Sequence, residues 1–314
     1  MELFATDSNP IPDGAVVVTV LTGDGIRLRA ARWPATASPS RGTICLFQGR
    51  SECIEKYFET VTDLRRRGFA VATLDWRGQG GSERLLGNPR KGHVDSFTDY
   101  DRDFDAFTEQ VVLPDCPPPH FGLAHSTGAL ICLRAAHDGR TRFTRMVLVS
   151  PLLALAPSRP SPETGYRIAA FLTAIGFGEL QVPEGNAPPL DRMPFADNLL
   201  TGDERRFARN VEMLKRSPQL TIGPPTFAWL HAARRAMLEA HGPDFGPAIR
   251  VPTLMVIASL DRIVSPRAIE ALALEIRGSG VITIAGARHE ILMERDPLRE
   301  QFFAAFDAFV PGSV

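Results

Sequence analysis

Ala124-His125-Ser126-Thr127-Gly128 sets one serine among small neighbours, between the apolar run His120-Phe121-Gly122-Leu123 and the helix-forming run Ala129-Leu130-Ile131-Cys132-Leu133. Strand, sharp turn and helix in that succession make a nucleophile elbow. The turn forces strained backbone angles on the serine, and the close approach of helix to strand favours small residues two positions to either side. In the usual G-x-S-x-G pattern the first glycine is replaced here by Ala124, the smallest departure available.

Buried strands and helices alternate on both sides of this elbow. Apolar or alternating runs at 16–20 and 26–33 flank a Gly23-Asp24-Gly25 turn and read as a hairpin. Short continuous apolar runs at 43–47, 69–74, 145–150, 253–258 and 280–284 read as buried strands. Helical spacing covers 54–67, 96–112 and 296–309, and Pro117-Pro118-Pro119 breaks the chain before the serine-bearing strand. The pattern predicts an α/β fold: a mostly parallel sheet with helices on both faces and an antiparallel hairpin at its start. From Pro151 to about Pro247 the alternation stops. Helical candidates at 163–176, 203–216 and 225–241 lie there among Pro/Gly-rich stretches at 156–161 and 182–189. This segment reads as a helical cap inserted over the carboxyl edge of the sheet. The expected organisation is an N-terminal extension at 1–14, a core at 15–151 and 248–314, and the cap at 152–247.

Composition narrows the class. The chain has 314 residues, 44% hydrophobic and 23% charged, so it can bury one large core. A net charge of −1 offers no general attraction to nucleic acid. Residues 1–14 have neither a basic start nor an apolar centre, so no secretory signal is expected, and no apolar run approaches the ~18 residues of a membrane span. Cys45, Cys53, Cys116 and Cys132 lack metal-ligand spacing. A cytoplasmic protein without metal or cofactor is the expectation.

A serine hydroxyl needs an adjacent base, itself oriented by a third group. Asp261 follows the run ending Ala258-Ser259-Leu260, and His289 follows the last strand in Gly286-Ala287-Arg288-His289-Glu290. The order Ser126, Asp261, His289, each beyond a different strand, is the order of the α/β-hydrolase architecture. Other histidines fit less well: His125 adjoins the serine but points elsewhere on the elbow, and His93, His120 and His137 precede the required position. His231 and His241 belong to the inserted segment. Acyl transfer also needs donors for the developing oxyanion. The backbone N–H of Thr127 is one; the second is expected from Gln48-Gly49-Arg50, with Arg50 preferred over Gly49.

With these residues placed, the chain resembles the α/β-hydrolase superfamily, and within it the bacterial lysophospholipase and monoacylglycerol lipase-like branch, also described as serine-aminopeptidase-like. The resemblance is carried by Phe47-Gln48-Gly49-Arg50-Ser51-Glu52, Asp75-Trp76-Arg77-Gly78-Gln79-Gly80-Gly81-Ser82, Gly92-His93-Val94, the elbow, Ser259-Leu260-Asp261 and Ala287-Arg288-His289-Glu290. Pro225-Thr226-Phe227-Ala228-Trp229-Leu230 resembles the same branch's cap. Gln48 departs from the histidine common before the oxyanion glycine. The resemblance implies hydrolysis of a small acyl ester, a lysophospholipid or monoacylglycerol, by attack of Ser126, proton transfer to His289 and stabilisation by Asp261. It implies no cofactor. Phe171, Leu172, Phe227 and Trp229 are candidates for an acyl pocket. Arg234 and Arg235 could meet a phosphate but read better as a solvated helix face.

Alternatives use the same triad. An aminopeptidase or amidase needs a buried carboxylate for the substrate's amine, for which Glu184 and Glu212 are candidates. An acyltransferase needs a site closed to water. Dehalogenases and epoxide hydrolases need Asp where Ser126 stands. A non-catalytic binding protein of this fold would be expected to lack a triad member. Peripheral membrane contact through an apolar cap is compatible with a lipid substrate, though composition does not require it.

Overall fold

The computed structural model describes residues 1–158, 161–183 and 189–311. Eight strands form one sheet in the order β1-β2-β4-β3-β5-β6-β7-β8, where β1 is Val16–Leu21, β2 Arg27–Trp33, β3 Thr43–Phe47, β4 Ala70–Leu74, β5 His120–His125, β6 Arg145–Val149, β7 Thr253–Ala258 and β8 Ser279–Ile284. β2 runs antiparallel to both β1 and β4, and every pairing from β4 to β8 is parallel. This is the α/β-hydrolase fold. Strands β3, β4, β5 and β7 are buried along their whole length, as continuous apolar runs covered on both faces must be. Edge strand β8 is largely half-buried or exposed.

Two apolar layers sandwich the sheet. One gathers Phe47, Trp76, Phe104 and Phe107 with the helix that follows the elbow, Ser126–His137. The other packs Phe58, Phe69 and Phe121 against Phe302 and Phe306 of the last helix, Asp296–Phe309. Residues preceding β1 lie along the core, with the Pro12 carbonyl accepting from Trp33 Nε1 at 3.0 Å and the Glu2 carbonyl from Arg29 Nη1 at 2.7 Å.

Two helices differ in detail from the periodicity. The run at 54–67 opens as a 3₁₀ turn, Ile54–Tyr57, before the α-helix Phe58–Arg66. The run at 96–112 is an α-helix, Phe97–Phe107, started by a Ser96/Asp99 capping box and continued by a π-helical turn, Thr108–Val112. Val111 and Val112 of that turn are both buried. Between β6 and β7 the described residues carry the helices Pro162–Ala174, Glu204–Arg216 and Phe227–Ala240 and add no strand to the sheet.

Candidate active site

Ser126 opens the helix Ser126–His137 directly after β5 with a φ of 51°, a left-handed conformation that L-residues adopt only under constraint. The constraint is packing. A Cβ on Gly128 would lie 2.5 Å from the Gln48 carbonyl oxygen and 2.8 Å from that of Phe47, so the second elbow glycine is sterically required. Ala124 faces no such limit: it is fully buried, and its methyl joins the apolar layer beside β3 and β6. The replacement of the first glycine therefore leaves the elbow intact.

The three residues expected to act together meet at the carboxyl edge of the sheet. His289 Nε2 lies 3.1 Å from Ser126 Oγ, and His289 Nδ1 lies 2.7 Å from Asp261 Oδ2. The other Asp261 oxygen accepts from the backbone N–H groups of Ile263 and Val264 at 2.8 and 3.0 Å. Burial alone would raise the Asp261 carboxyl, but His289 and these two donors outweigh it and hold the group below its usual range. An ionised Asp261 fixes His289 with Nδ1 protonated and leaves Nε2 free to take a proton from the serine.

Beside the serine, the Thr127 N–H belongs to the first turn of a helix, where unpaired donors and the helix dipole favour negative charge. Across the cleft, Gly49 is not the available donor, because its N–H is given to the Glu52 carboxylate. The Arg50 N–H has no hydrogen-bond acceptor among the described residues and is the donor left for an oxyanion. Ser51 then turns the loop away through a φ of 62°.

The block Asp75–Ser82 does not line the cavity; it braces this loop. Gln79 Nε2 donates to the Gly49 carbonyl at 2.8 Å and to that of Glu52 at 3.2 Å, while Trp76 Nε1 donates to the Gln48 carbonyl at 2.9 Å. Asp75 accepts from Arg29, from Ile54 N–H at 2.9 Å and from Gly81 N–H at 2.7 Å. A side chain at Gly80, whose φ is 54°, would strike the Asp75 carboxylate. The specificity of that sequence block is the geometry of one buried carboxylate.

A cavity of about 460 Å³ opens onto Ser126 and His289, walled by Leu152, Leu155, Leu190, Met193, Leu214 and Ile222. Of the four residues proposed for an acyl pocket, only Trp229 lines it. Phe171 is 62% exposed on the outer face of its helix, and neither Leu172 nor Phe227 reaches the cavity. Helical periodicity identified apolar side chains but not the direction in which the helix presents them.

The polar end of the cavity holds residues the sequence did not single out as site residues. Lys56 Nζ bridges Glu52 Oε1 at 2.7 Å and Glu290 Oε1 at 2.6 Å, and Glu52 also meets Tyr57 and His125. Burial would raise the Glu52 carboxyl, but Lys56 and His125 drive it well below its usual range. A Glu-x-x-x-Lys pair in sequence ordinarily reads as a solvated helix face, so nothing local marks this one as buried. Arg50, which is half-buried, differs from the buried arginines. Arg29, Arg77 and Arg206 each pair with carboxylates. The Arg50 guanidinium instead donates to the Gly223 carbonyl and Ser51 Oγ at 2.9 and 2.8 Å and lies over Trp229 at 5.1 Å, with no carboxylate partner among the described residues. Burial lowers its pKa to about 10, which leaves it charged at neutral pH.

Sheet order and elbow together define the chain as an α/β-hydrolase. A family model described as serine aminopeptidase, S33, matches residues 38–296. Lysophospholipase L2 of Escherichia coli K12 is 31% identical over 301 residues, covering 88% of this chain and 82% of that protein. The probable lysophospholipase L2 of Haemophilus influenzae is 29% identical over 273 residues, covering 87% and 85%. Among solved structures, a soluble variant of monoglyceride lipase from Saccharomyces cerevisiae, in complex with a substrate analog, matches with a TM-score of 0.75 at 20% identity, covering 95% of this chain and 97% of that one. The chain belongs to the serine aminopeptidase S33 family and is a carboxylic-ester hydrolase.

Proposed function

We propose that this enzyme hydrolyses single-chain acyl esters, with a lysophospholipid as its preferred substrate, through an acyl-enzyme on Ser126. The observation that carries the reading is the Asp261–His289–Ser126 relay, with contacts of 2.7 and 3.1 Å, opening onto an apolar cavity. His289 takes the serine proton as Ser126 attacks the ester carbonyl. The N–H groups of Thr127 and Arg50 receive the oxyanion, and the alcohol leaves with the proton returned by His289. Water, activated by the same base, then releases the fatty acid. Residues 152–247 act as the cap that supplies the acyl-binding wall. The Arg50 guanidinium, without a carboxylate partner among the described residues, favours a phosphate-bearing head group over plain glycerol, as do the lysophospholipase relatives. The aminopeptidase reading has less support: Glu212 lies outside the cavity, bonded by Ser8 and Arg216, and Glu52 and Glu290 are engaged by Lys56. Glu184 lies outside the described residues.

Among the described residues no helix is long and apolar enough to cross a membrane. Ile168, Phe171, Ile175, Phe177 and Leu180 are nonetheless exposed together on one stretch of the insertion, and we assign this face to peripheral contact with a lipid surface. The described cysteines are all free and buried, which fits a reducing, cytoplasmic setting. The test is fatty-acid release from a lysophospholipid and a monoacylglycerol, beside cleavage of an aminoacyl amide, each repeated with Ser126→Ala. Serine-dependent release with the lysophospholipid turned over faster is expected; cleavage of the amide alone would transfer the assignment to the peptidase reading.

A further inference from the structure

His125, next to the nucleophile in sequence, makes two contacts whose donors can be counted. Its Nε2 lies 3.2 Å from the main-chain oxygen of His289, and its Nδ1 lies 3.2 Å from Glu52 Oε2 and 3.1 Å from Oε1. A carbonyl oxygen only accepts, so Nε2 must carry a hydrogen. Glu52 already accepts from Gly49 N–H, from Tyr57 Oη at 2.7 Å and from Lys56 Nζ at 2.7 Å. A carboxyl receiving that many donors is ionised and has no proton to give, so Nδ1 must carry a hydrogen as well. A neutral imidazole has one N–H; both contacts together require the imidazolium.

The surroundings balance that charge. Glu52 and Lys56 come from the loop and turn after β3, Glu290 from the loop after β8, and all three are nearly fully buried with His125. With His125 protonated, the four make two positive and two negative charges. The His289 ring stands on the other side, with ring centroids 4.7 Å apart, and Asp261 lies beyond it. Gly49 is part of the same packing, since a Cβ there would come within 3.0 Å of both His125 Nδ1 and Glu52 Oε2.

We propose that His125 is a positioning residue that works as an imidazolium at neutral pH, tying the main chain of the base His289 to the oxyanion loop through Glu52, and that loss of its proton sets the alkaline limit of catalysis. The proposal rests on the serine-hydrolase reading above. Nε2 anchors the peptide from which the His289 ring projects. Nδ1 anchors the carboxylate that holds Gly49, one residue before the Arg50 donor. One cation therefore spans both halves of the machinery, and a displacement of order 1 Å in either can cost about 10²-fold in rate. Burial by itself would lower the pKa of His125, but Glu52 outweighs it and the net shift is upward. The link is intact below that raised value and is lost as pH rises through it.

The experiment has two arms. Heteronuclear NMR of the ¹⁵N-histidine-labelled wild-type protein reads the protonation of each ring, with the His125 signals assigned by their loss in His125→Gln. Both His125 nitrogens are expected to be protonated at neutral pH, and a neutral ring there overturns the proposal. The second arm is the pH profile of kcat and KM for a soluble activated ester. His125→Gln should lose up to about 10²-fold in kcat with KM little changed, and its alkaline decline should disappear. Glu52→Gln, which removes the stabilising charge, should move the decline to lower pH. A decline unchanged in both variants overturns the proposal. Hydrolysis persisting in Ser126→Ala would instead defeat the serine-hydrolase reading, while the NMR arm still reports on His125.

Discussion

On the core side of the cavity, the proposed catalytic groups stand just beyond β5, β7 and β8, and their positions are fixed by backbone packing and paired charge. Ser126 is held in a left-handed turn against Gly128, Asp261 by two N–H groups, and the oxyanion loop by Gln79, Trp76 and Glu52. The helical insertion opposite is built unevenly. Its second part is strapped to the core. Arg206 reaches Glu59 at 2.7 Å and Asp296 at 2.5 Å, Arg209 also pairs with Glu59, and Arg288 donates to the carbonyls of Asn198 and Thr201. Its first helix, Pro162–Ala174, leans on the helix Phe227–Ala240 and turns Ile168 and Phe171 to the outside. The contrast separates two tasks. The candidate catalytic groups sit where packing leaves no alternative, whereas the wall proposed to receive an acyl chain rests on apolar contact.

This contrast can be tested from its strongest point downward. Ser126→Ala should reduce kcat on an activated ester by about 10⁴- to 10⁶-fold and abolish labelling by a serine-reactive phosphonate; retained turnover would break the assignment of the core side. Asp261→Asn, which permits the wrong His289 tautomer, should cost about 10⁴-fold in kcat with little change in KM, read from steady-state kinetics.

Arg206→Met tests the strap. Removing a buried guanidinium that bonds charged partners should lower stability by about 2 kcal/mol, measured by denaturant unfolding. Acid should loosen the same strap. Burial raises the Glu59 carboxyl, but its hydrogen bond from Arg206 and the neighbouring Arg299 and Arg209 bring it down from 4.5 to about 2. Its contribution is present above the ordinary value and is lost as pH falls through that window. Hydrogen exchange in Glu204–Arg216 should therefore rise between about pH 4.5 and 2, and less so in Arg206→Met, which lacks part of the interaction from the start.

Arg50→Met keeps the backbone donor and removes the cation. The ratio of kcat/KM for a lysophospholipid to that for a monoacylglycerol of the same chain should fall about tenfold, the equivalent of one charge-assisted hydrogen bond; an unchanged ratio would leave Arg50 as a tether to Gly223 alone. The smallest expected effect on the folded protein is that of Phe171→Ser. Stability should stay within about 0.5 kcal/mol, while co-sedimentation with phospholipid vesicles decreases. A loss of stability instead would mean that the outer face is buried against something in solution.

Much of the candidate site is legible in the sequence because its residues stand at marked places in a regular pattern. A serine in an elbow, an aspartate beyond one buried strand and a histidine beyond the next need only the alternation of strands and helices to be placed at one edge of a parallel sheet. Helix identities in the insertion were legible for the same reason, to within about two residues. Its lining was not. Phe171, Leu172 and Phe227 satisfy apolar periodicity yet miss the cavity, because periodicity fixes which residues share a face and not where that face is aimed. The sequence leaves Gly49 open as a donor, whereas in the fold the Glu52 carboxylate takes its N–H. His125 looked like a bystander, since alternation along β5 says nothing of what its ring will meet.

The sequence by itself determined the sheet, the elbow, the order of the three candidate residues and the reaction class they suggest, because each follows from local periodicity and from chemistry confined to a few residue types. Only the tertiary structure decided which loop N–H is left without an acceptor, which carboxylates are neutralised by Lys56, which guanidinium lacks a carboxylate among the described residues, and what surrounds the His125 ring. Those are questions of hydrogen-bond supply and charge balance among residues up to 238 positions apart in the chain, from Glu52 to Glu290. No local pattern records that balance, because it exists only once burial has removed water as the alternative partner.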